Sequence, residues 1–144
     1  MAECISTGQL LGGREVLPIL PENSLQWVEV IRHGISSAAL VSLSTTLHLS
    51  LAELAAVLGI PYRTLVRRKR ETMLNSEESA KVIRLARIIE RAEDVFDSLD
   101  KAIDWLKTRN ASLSGLTPLS LVDTDVGAET VLDTLGRIEH GVFA

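Results

Sequence analysis

Ser50-Leu51-Ala52-Glu53-Leu54-Ala55-Ala56-Val57-Leu58-Gly59-Ile60 runs directly into Pro61-Tyr62-Arg63-Thr64-Leu65-Val66-Arg67-Arg68-Lys69-Arg70. The first run opens with a hydroxyl and places a carboxylate three residues on, the capping-box spacing that satisfies free N–H groups at a helix start. Its apolar body ends at Gly59, which can supply the φ > 0 conformation of a tight turn. The second run opens on a proline, whose missing N–H is no loss in a first helical turn, and carries five cations and no acid. Helix, glycine turn and basic helix is the layout of a helix-turn-helix whose second helix lies in the DNA major groove. Ala55 is small enough for the two helices to cross closely, with Leu54, Leu58, Ile60 and Leu65 as the core between them. Three residues after Leu65, where another apolar side chain is expected, stands Arg68, which leaves the end of the second helix open. The alternative is an ordinary helical hairpin with a solvated basic face.

The 144-residue chain has a formal net charge of −4 and so no general attraction for a polyanion. Any affinity for DNA must come from a local concentration of positive charge. Residues 1–60 hold two Lys/Arg against five Asp/Glu, residues 61–91 nine against four, and residues 92–144 four against ten. The corresponding net charges of −3, +5 and −6 describe a basic waist between acidic flanks, one surface for nucleic acid and others that avoid it.

The length suits one domain of ordinary size or two small ones. Hydrophobic content of 46% with 24% charged residues is globular, and only 3% aromatics favours helices packed through aliphatic ridges. The single cysteine, Cys4, excludes an intramolecular disulfide and a cysteine-based zinc site and fits a reducing interior. The first twenty residues lack a basic leader with an apolar run, and no segment approaches the ~18 apolar residues of a membrane span. The expectation is a cytoplasmic protein without a membrane partner.

Along the chain, residues 1–23 are punctuated by Gly8, Gly12, Gly13, Pro18 and Pro21 and read as an arm without long helices. Asn23 or Ser24 caps a helix to about Arg32, with Leu25, Val28 and Ile31 on one face, Trp27 beside them, and His33-Gly34 ending it. Ser36 to Leu47 places Leu40, Val41, Leu43 and Leu47 inward. In the basic helix Leu65, Val66 and Met73 turn inward while Arg63, Arg67 and Arg70 share a face. Asn75 or Ser76 starts a long helix to about Ser98 with Val82, Leu85, Ile88 or Ile89, Ala92, Val95 and Leu99 in near-heptad rhythm, a seam for the rest of the domain or for a second subunit. Ala102 to Lys107 continues helically, Asn110 to Thr124 reads as a loop, and Asp125 caps a last helix that Gly141 stops. The expected fold is all-α.

If the basic helix enters a major groove, Tyr62, Arg63, Thr64 and Arg67 lie where side chains reach base edges, an arginine reading guanine at two points. Arg68, Lys69 and Arg70 are placed to neutralise phosphates and set register. One such module binds weakly alone, so a homodimer on a two-part operator is expected. Other constellations carry no chemistry. Glu90, Glu93, Asp94, Asp97, Asp100 and Asp104 lack an accompanying histidine and are interspersed with cations, as on a solvated helix face. His33, His48 and His140 are scattered, Asp123-Thr124-Asp125 lacks calcium-loop spacing, and no phosphate-binding glycine loop or nucleophile triad appears. No catalytic residue, cofactor or metal is expected; the chain does not read as an enzyme.

The C-terminal half carries Trp105-Leu106-x-x-x-Asn110-x-x-Leu113-x-Gly115-x-x-Pro118-x-x-Leu121, then Gly127, Val131, Leu135, Ile138 and Gly141. Behind a helix-turn-helix this pattern resembles the Xre/MbcA/ParS antitoxin family, close to the Xre antitoxins paired with RES-domain toxins, and the similarity runs from about Leu25 onward. The resemblance implies a type II antitoxin with two partners. One is a toxin of ADP-ribosyltransferase-like fold that destroys NAD, blocked by occlusion of its NAD cleft. The other is promoter DNA, bound to repress the operon. It implies further that the last helix and its end do the blocking, through Arg137, Glu139, His140, Val142, Phe143 and Ala144. A terminal Phe143 ring and the Ala144 carboxylate match a cleft built for an aromatic ring and a diphosphate, while Arg137 suits an acidic partner; the plain alternative is a tail frayed in solvent. Asn110, Gly115 and Pro118 read as loop-shaping residues and Trp105 as a core anchor.

The expected organisation is an N-terminal arm (1–23), an Xre-like helix-turn-helix module (24–75), a linking and dimerisation helix (76–99) and a small helical toxin-binding module (100–144). Two rivals stand beside it: a stand-alone helix-turn-helix repressor whose C-terminal part senses a ligand, and an interaction module that no longer meets DNA.

Overall fold

The computed structural model describes residues 6–17 and 20–141. Among them are eight α-helices and no named strand: α1 (Thr7–Leu10), α2 (Ser24–His33), α3 (Ala38–Leu47), α4 (Leu51–Leu58), α5 (Tyr62–Glu71), α6 (Ser76–Phe96), α7 (Leu99–Lys107) and α8 (Asp125–Glu139). Short 3-10 turns at Ala111–Leu113 and Pro118–Leu121 fill the segment between α7 and α8. No single described helix is long and apolar enough to cross a membrane.

The caps follow the sequence closely. Asn23, Ser50, Asn75 and Ser98 each accept a backbone N–H at a helix start. The last helix is capped by Thr124 in place of Asp125: the Thr124 hydroxyl accepts from Gly127 N at 3.0 Å, and Asp125 is the first helical residue. Such caps contribute about 1 kcal/mol each and settle where the chain changes direction.

Helix α6 is the hub, packed against α1, α2, α3, α4, α7 and α8. Val82, Ile83, Leu85, Ala86, Ile88, Ile89 and Ala92 are all buried, so this helix is apolar on more than one side, as an interior helix must be. Most of the near-heptad seam, read as a surface for the rest of the domain or for a second subunit, packs within the protomer, with Val95 and Leu99 partly buried. Two members of the acidic series also leave the solvated face: Glu93 is buried, and Glu90 accepts from Thr7 N at 2.8 Å and from the Thr7 hydroxyl.

That anchor docks the described part of the N-terminal arm. Leu10, Leu11, Val16 and Leu17 are buried in the common core, and Ser42 Oγ donates to Leu10 O at 2.7 Å. Each such burial is worth roughly 1.5–3 kcal/mol. On α2 the core face is Trp27, Val30 and Ile31; Leu25 and Val28, expected on the packed face, are exposed. Val41 on α3 and Met73 after α5 are exposed as well, and Leu74 takes the interior position next to Met73. The segment after α2 pairs with the segment after α5: Leu74 N donates to Ile35 O and Ser37 N to Thr72 O, both at 2.9 Å.

Candidate nucleic-acid interface and partner-binding helix

Helix α4 starts with the expected capping box. Glu53 N donates to Ser50 Oγ at 3.1 Å and Ser50 N donates to Glu53 Oε1 at 3.0 Å. The second of these bonds holds the Glu53 carboxyl below its ordinary pKa. Gly59 ends the helix at φ +69°, and Ile60 N donates to Ala55 O at 3.1 Å. Glycine is needed here twice over, for the left-handed backbone and because a Cβ would stand 3.2 Å from Asp123 Cβ. Lys81 Nζ donates to Gly59 O at 3.2 Å. The turn is thus gripped by α6 on one side and by the chain leading into α8 on the other.

Helix α5 packs on α4 and buries Leu65 completely in the core that also holds Leu54 and Leu58. Tyr62, Arg63, Arg67, Lys69 and Arg70 are exposed, and Thr64 is half-buried. Arg63, Lys69 and Arg70 make no ion pair among the described residues, while Arg67 Nε lies 3.5 Å from Glu71 Oε1. These residues form the exposed cationic helix that a major groove accepts.

Arg68 does not belong to that face. Its Nε donates to Glu78 Oε1 and its Nη1 to Glu71 Oε2, both at 2.8 Å, and its side chain is only 21% exposed. These two carboxylates, Glu78 first, raise the guanidinium pKa above that of an ordinary arginine. A phosphate contact of the kind expected for Arg68 would compete with these two carboxylates. Arg68 occupies the apolar position after Leu65 because an ion pair to a buried acid replaces hydrophobic contact there. Glu78 is buried because it also closes the capping box of α6, accepting from Asn75 N at 2.9 Å.

In the C-terminal module, Asn110 Oδ1 accepts from Ser112 N at 2.9 Å and Gly115 N donates to Asn110 O at 2.9 Å. The loop-shaping roles read for Asn110, Gly115 and the buried Pro118 are therefore present. Trp105 anchors the module, its ring 5.7 Å from that of Phe96. Helix α8 buries Ala128, Val131, Thr134 and Leu135 and turns Val126, Glu129, Leu132, Asp133 and Arg137 outward. Gly127 is a close-approach glycine: a Cβ there would lie 1.7 Å from Leu121 O.

Helix α8 is tied to α6 at both ends. Arg84 pairs with Asp125 and donates to Val122 O at 2.9 Å. Arg91 donates from both terminal nitrogens to the two Glu139 oxygens, each at 2.8 Å. Of the expected partner-contacting residues, Arg137 and His140 are exposed near the end of this helix, while Glu139 is engaged by Arg91. Val142, Phe143 and Ala144 lie outside the described residues. Sequence reasoning missed the roles of Glu78, Arg84 and Arg91. The Asn75-x-x-Glu78 spacing was a visible cap signal, but nothing local links Arg68 to Glu78 or Arg91 to Glu139.

A helix-turn-helix sharing its last long helix with a second helical module is the class of protein this fold defines. Residues 26–87 match the family model of the antitoxin Xre-like helix-turn-helix domain, and residues 91–141 that of the antitoxin Xre/MbcA/ParS C-terminal toxin-binding domain. The chain is 36% identical over 119 residues to a protein named antitoxin Xre from Yersinia enterocolitica, covering 81% of this chain and 80% of that one. It is 34% identical over 94 residues to the antitoxin Xre of Photorhabdus laumondii, covering 64% of each, and 26% identical over 127 residues to a Sphingobium protein named Prs ADP-ribosylating antitoxin, covering 81% and 80%. The chain belongs to the Xre/MbcA/ParS antitoxin family: it is an antitoxin of a toxin–antitoxin system, with a helix-turn-helix for DNA and a C-terminal domain for its toxin.

Proposed function

We propose that this antitoxin neutralises a RES-type, NAD-degrading toxin by covering its NAD cleft with the end of α8, and represses its own operon through α5. The observation that carries the reading is the division of exposed chemistry between the two helices. Exposed cations on α5 suit a polyanion. The end of α8 offers Arg137 and His140 on a helix held rigid against α6. Tyr62, Arg63, Thr64 and Arg67 address bases, and Lys69 and Arg70 address phosphates. Two copies on a two-part operator supply affinity that one module lacks. Because most of the α6 seam is internal, the copies meet through another surface. The work is done in the cytoplasm, by shape and charge, with no bond made or broken.

The name of the Sphingobium relative favours a second reading of the partner, in which the toxin transfers ADP-ribose from NAD to a target instead of hydrolysing NAD. Both chemistries begin at an NAD cleft, so the same occlusion serves either. Co-expression with the protein encoded beside this gene tests the proposal. Full protection of cellular NAD by the whole chain, and loss of protection on deleting residues 137–144, is the expected result. Undiminished protection by the truncated chain removes α8 and its end from the mechanism. NAD that stays level while a cellular target acquires ADP-ribose selects the second reading.

A further inference from the structure

Arg67, one of the exposed residues assigned above to base reading, stands at the end of a chain of charged contacts that begins in the interior. Glu78 is 7% exposed and is fixed on both sides: its backbone N donates to Asn75 Oδ1 at 2.8 Å, and its Oε1 accepts from Asn75 N at 2.9 Å. The same oxygen accepts Arg68 Nε at 2.8 Å. Arg68 Nη1 then holds Glu71 Oε2 at 2.8 Å, leaving Glu71 Oε1 to face Arg67 Nε at 3.5 Å. Glu71 therefore spans two arginines, one oxygen for each. The inner links are short and partly shielded from water, while the outermost, between Glu71 and Arg67, is longer and more exposed.

We infer that Arg68, anchored on Glu78, is a positioning residue for DNA readout: it sets the rotation of α5 on α6 and, through Glu71, holds the Arg67 guanidinium extended toward the bases. The inference rests on the DNA-binding reading above. Its physical content is preorganisation. A free arginine loses side-chain freedom on binding, and one already held in its bound direction loses less. Two-point recognition of guanine is sensitive to that direction, whereas a phosphate contact tolerates a swinging charge. Loss of the anchor should therefore damage discrimination between sequences and spare general affinity.

The test compares wild type, Arg68→Lys, Glu78→Gln, the double variant Arg68→Gln/Glu78→Gln and Lys69→Ala. Each is titrated, over a range of salt concentrations, with the duplex lying upstream of the gene and with a shuffled duplex of equal length. Arg68→Lys keeps the charge opposite Glu78, and the double variant keeps a neutral hydrogen bond and the net charge, so folding is retained and is checked by thermal melting. The expected result for Arg68→Lys and the double variant is a fall of about tenfold in the upstream-to-shuffled affinity ratio, with shuffled-DNA affinity and its salt slope unchanged; Glu78→Gln, which adds a net positive charge, should show the same fall in ratio. Lys69→Ala is expected to weaken both duplexes alike and reduce the slope by about 0.9. An unchanged ratio in Arg68→Lys and the double variant overturns the inference, as does a parallel loss on both duplexes. Wild type that shows no preference for the upstream duplex overturns the DNA-binding reading itself, a separate outcome.

Discussion

Arg91 and Glu139 meet through two parallel N–H···O contacts, Nη1 to Oε2 and Nη2 to Oε1, each at 2.8 Å. Forty-eight positions apart in sequence, they close the last turn of α8 onto the C-terminal third of α6. The planar guanidinium fork matches the carboxylate, which is the geometry in which an arginine pair gives direction as well as attraction. Together with Arg84 and Asp125 this pair makes α8 a rail fixed at both ends.

Charge reversal should show whether that rail matters for the toxin. Arg91→Glu alone is expected to speed toxin dissociation by roughly tenfold, as looser preorganisation is read mostly in the off-rate. The swap Arg91→Glu/Glu139→Arg should restore most of it. Overall melting should shift little, because both side chains are about one-third exposed. Surface-plasmon dissociation rates with the cognate toxin decide the point, and equal rates in all three proteins would remove the pair from the interaction.

The same pair has a pH signature. The Arg91 hydrogen bonds hold the Glu139 carboxyl below its ordinary pKa. A depressed folded-state value means the pair's contribution is complete above the ordinary glutamate range and disappears as pH falls through the lower, folded value. Amide exchange in residues 136–141 should therefore stay slow, relative to Glu139→Gln, down to weakly acidic pH and converge with it below the ordinary glutamate range. Equal protection in wild type and Glu139→Gln at neutral pH contradicts this.

Gly127→Ala is expected to injure the C-terminal module selectively. Its methyl would start 1.7 Å from Leu121 O, so the turn before α8 must move, and overpacking of this kind costs about 1–3 kcal/mol or more. Toxin binding should fall further than DNA binding, since Gly127 lies in α8 itself, whereas the shift reaches the helix-turn-helix only through Asp123 against Gly59 and α5 is held directly by α4 and by the Arg68–Glu78 contact. Parallel titrations of the variant with toxin and DNA measure the split.

Within α5, Arg67→Ala should lower preference for the cognate duplex by roughly 5- to 150-fold, while Arg70→Ala weakens all duplexes by a similar factor. Competition binding against random DNA separates the two. Loss of preference in Arg70→Ala and not in Arg67→Ala would reverse the assignment of roles.

Leu11→Ala should destabilise the whole protein by about 2–5 kcal/mol, a loss visible in chemical denaturation. Leu11 is fully buried in the common core although it lies outside both matched domains. A near-neutral result would mean that the arm is dispensable to the fold.

The helix starts and the helix-turn-helix were legible in the chain because they rest on local chemistry. Ser50 with Glu53, the glycine at 59 and the burial of Leu54, Leu58 and Leu65 all act within a few residues. The cationic surface was legible too, since charge density needs no partner to be counted. Less legible was the choice between two apolar stripes on α2. Ile31 packs inward as expected, but Leu25 and Val28, of the same apolar character as Trp27 and Val30, do not, and only the position of α6 makes that selection.

The amino-acid order by itself determined where helices begin, where the chain turns and which helix is cationic, because caps, glycines and charges act over one or two turns. The tertiary structure alone decided that Arg68 faces inward to Glu78, that Glu139 is held by Arg91, and that most of the α6 seam is spent within one protomer. Those outcomes depend on which distant groups share a desolvated space, and a one-dimensional pattern carries no such distances.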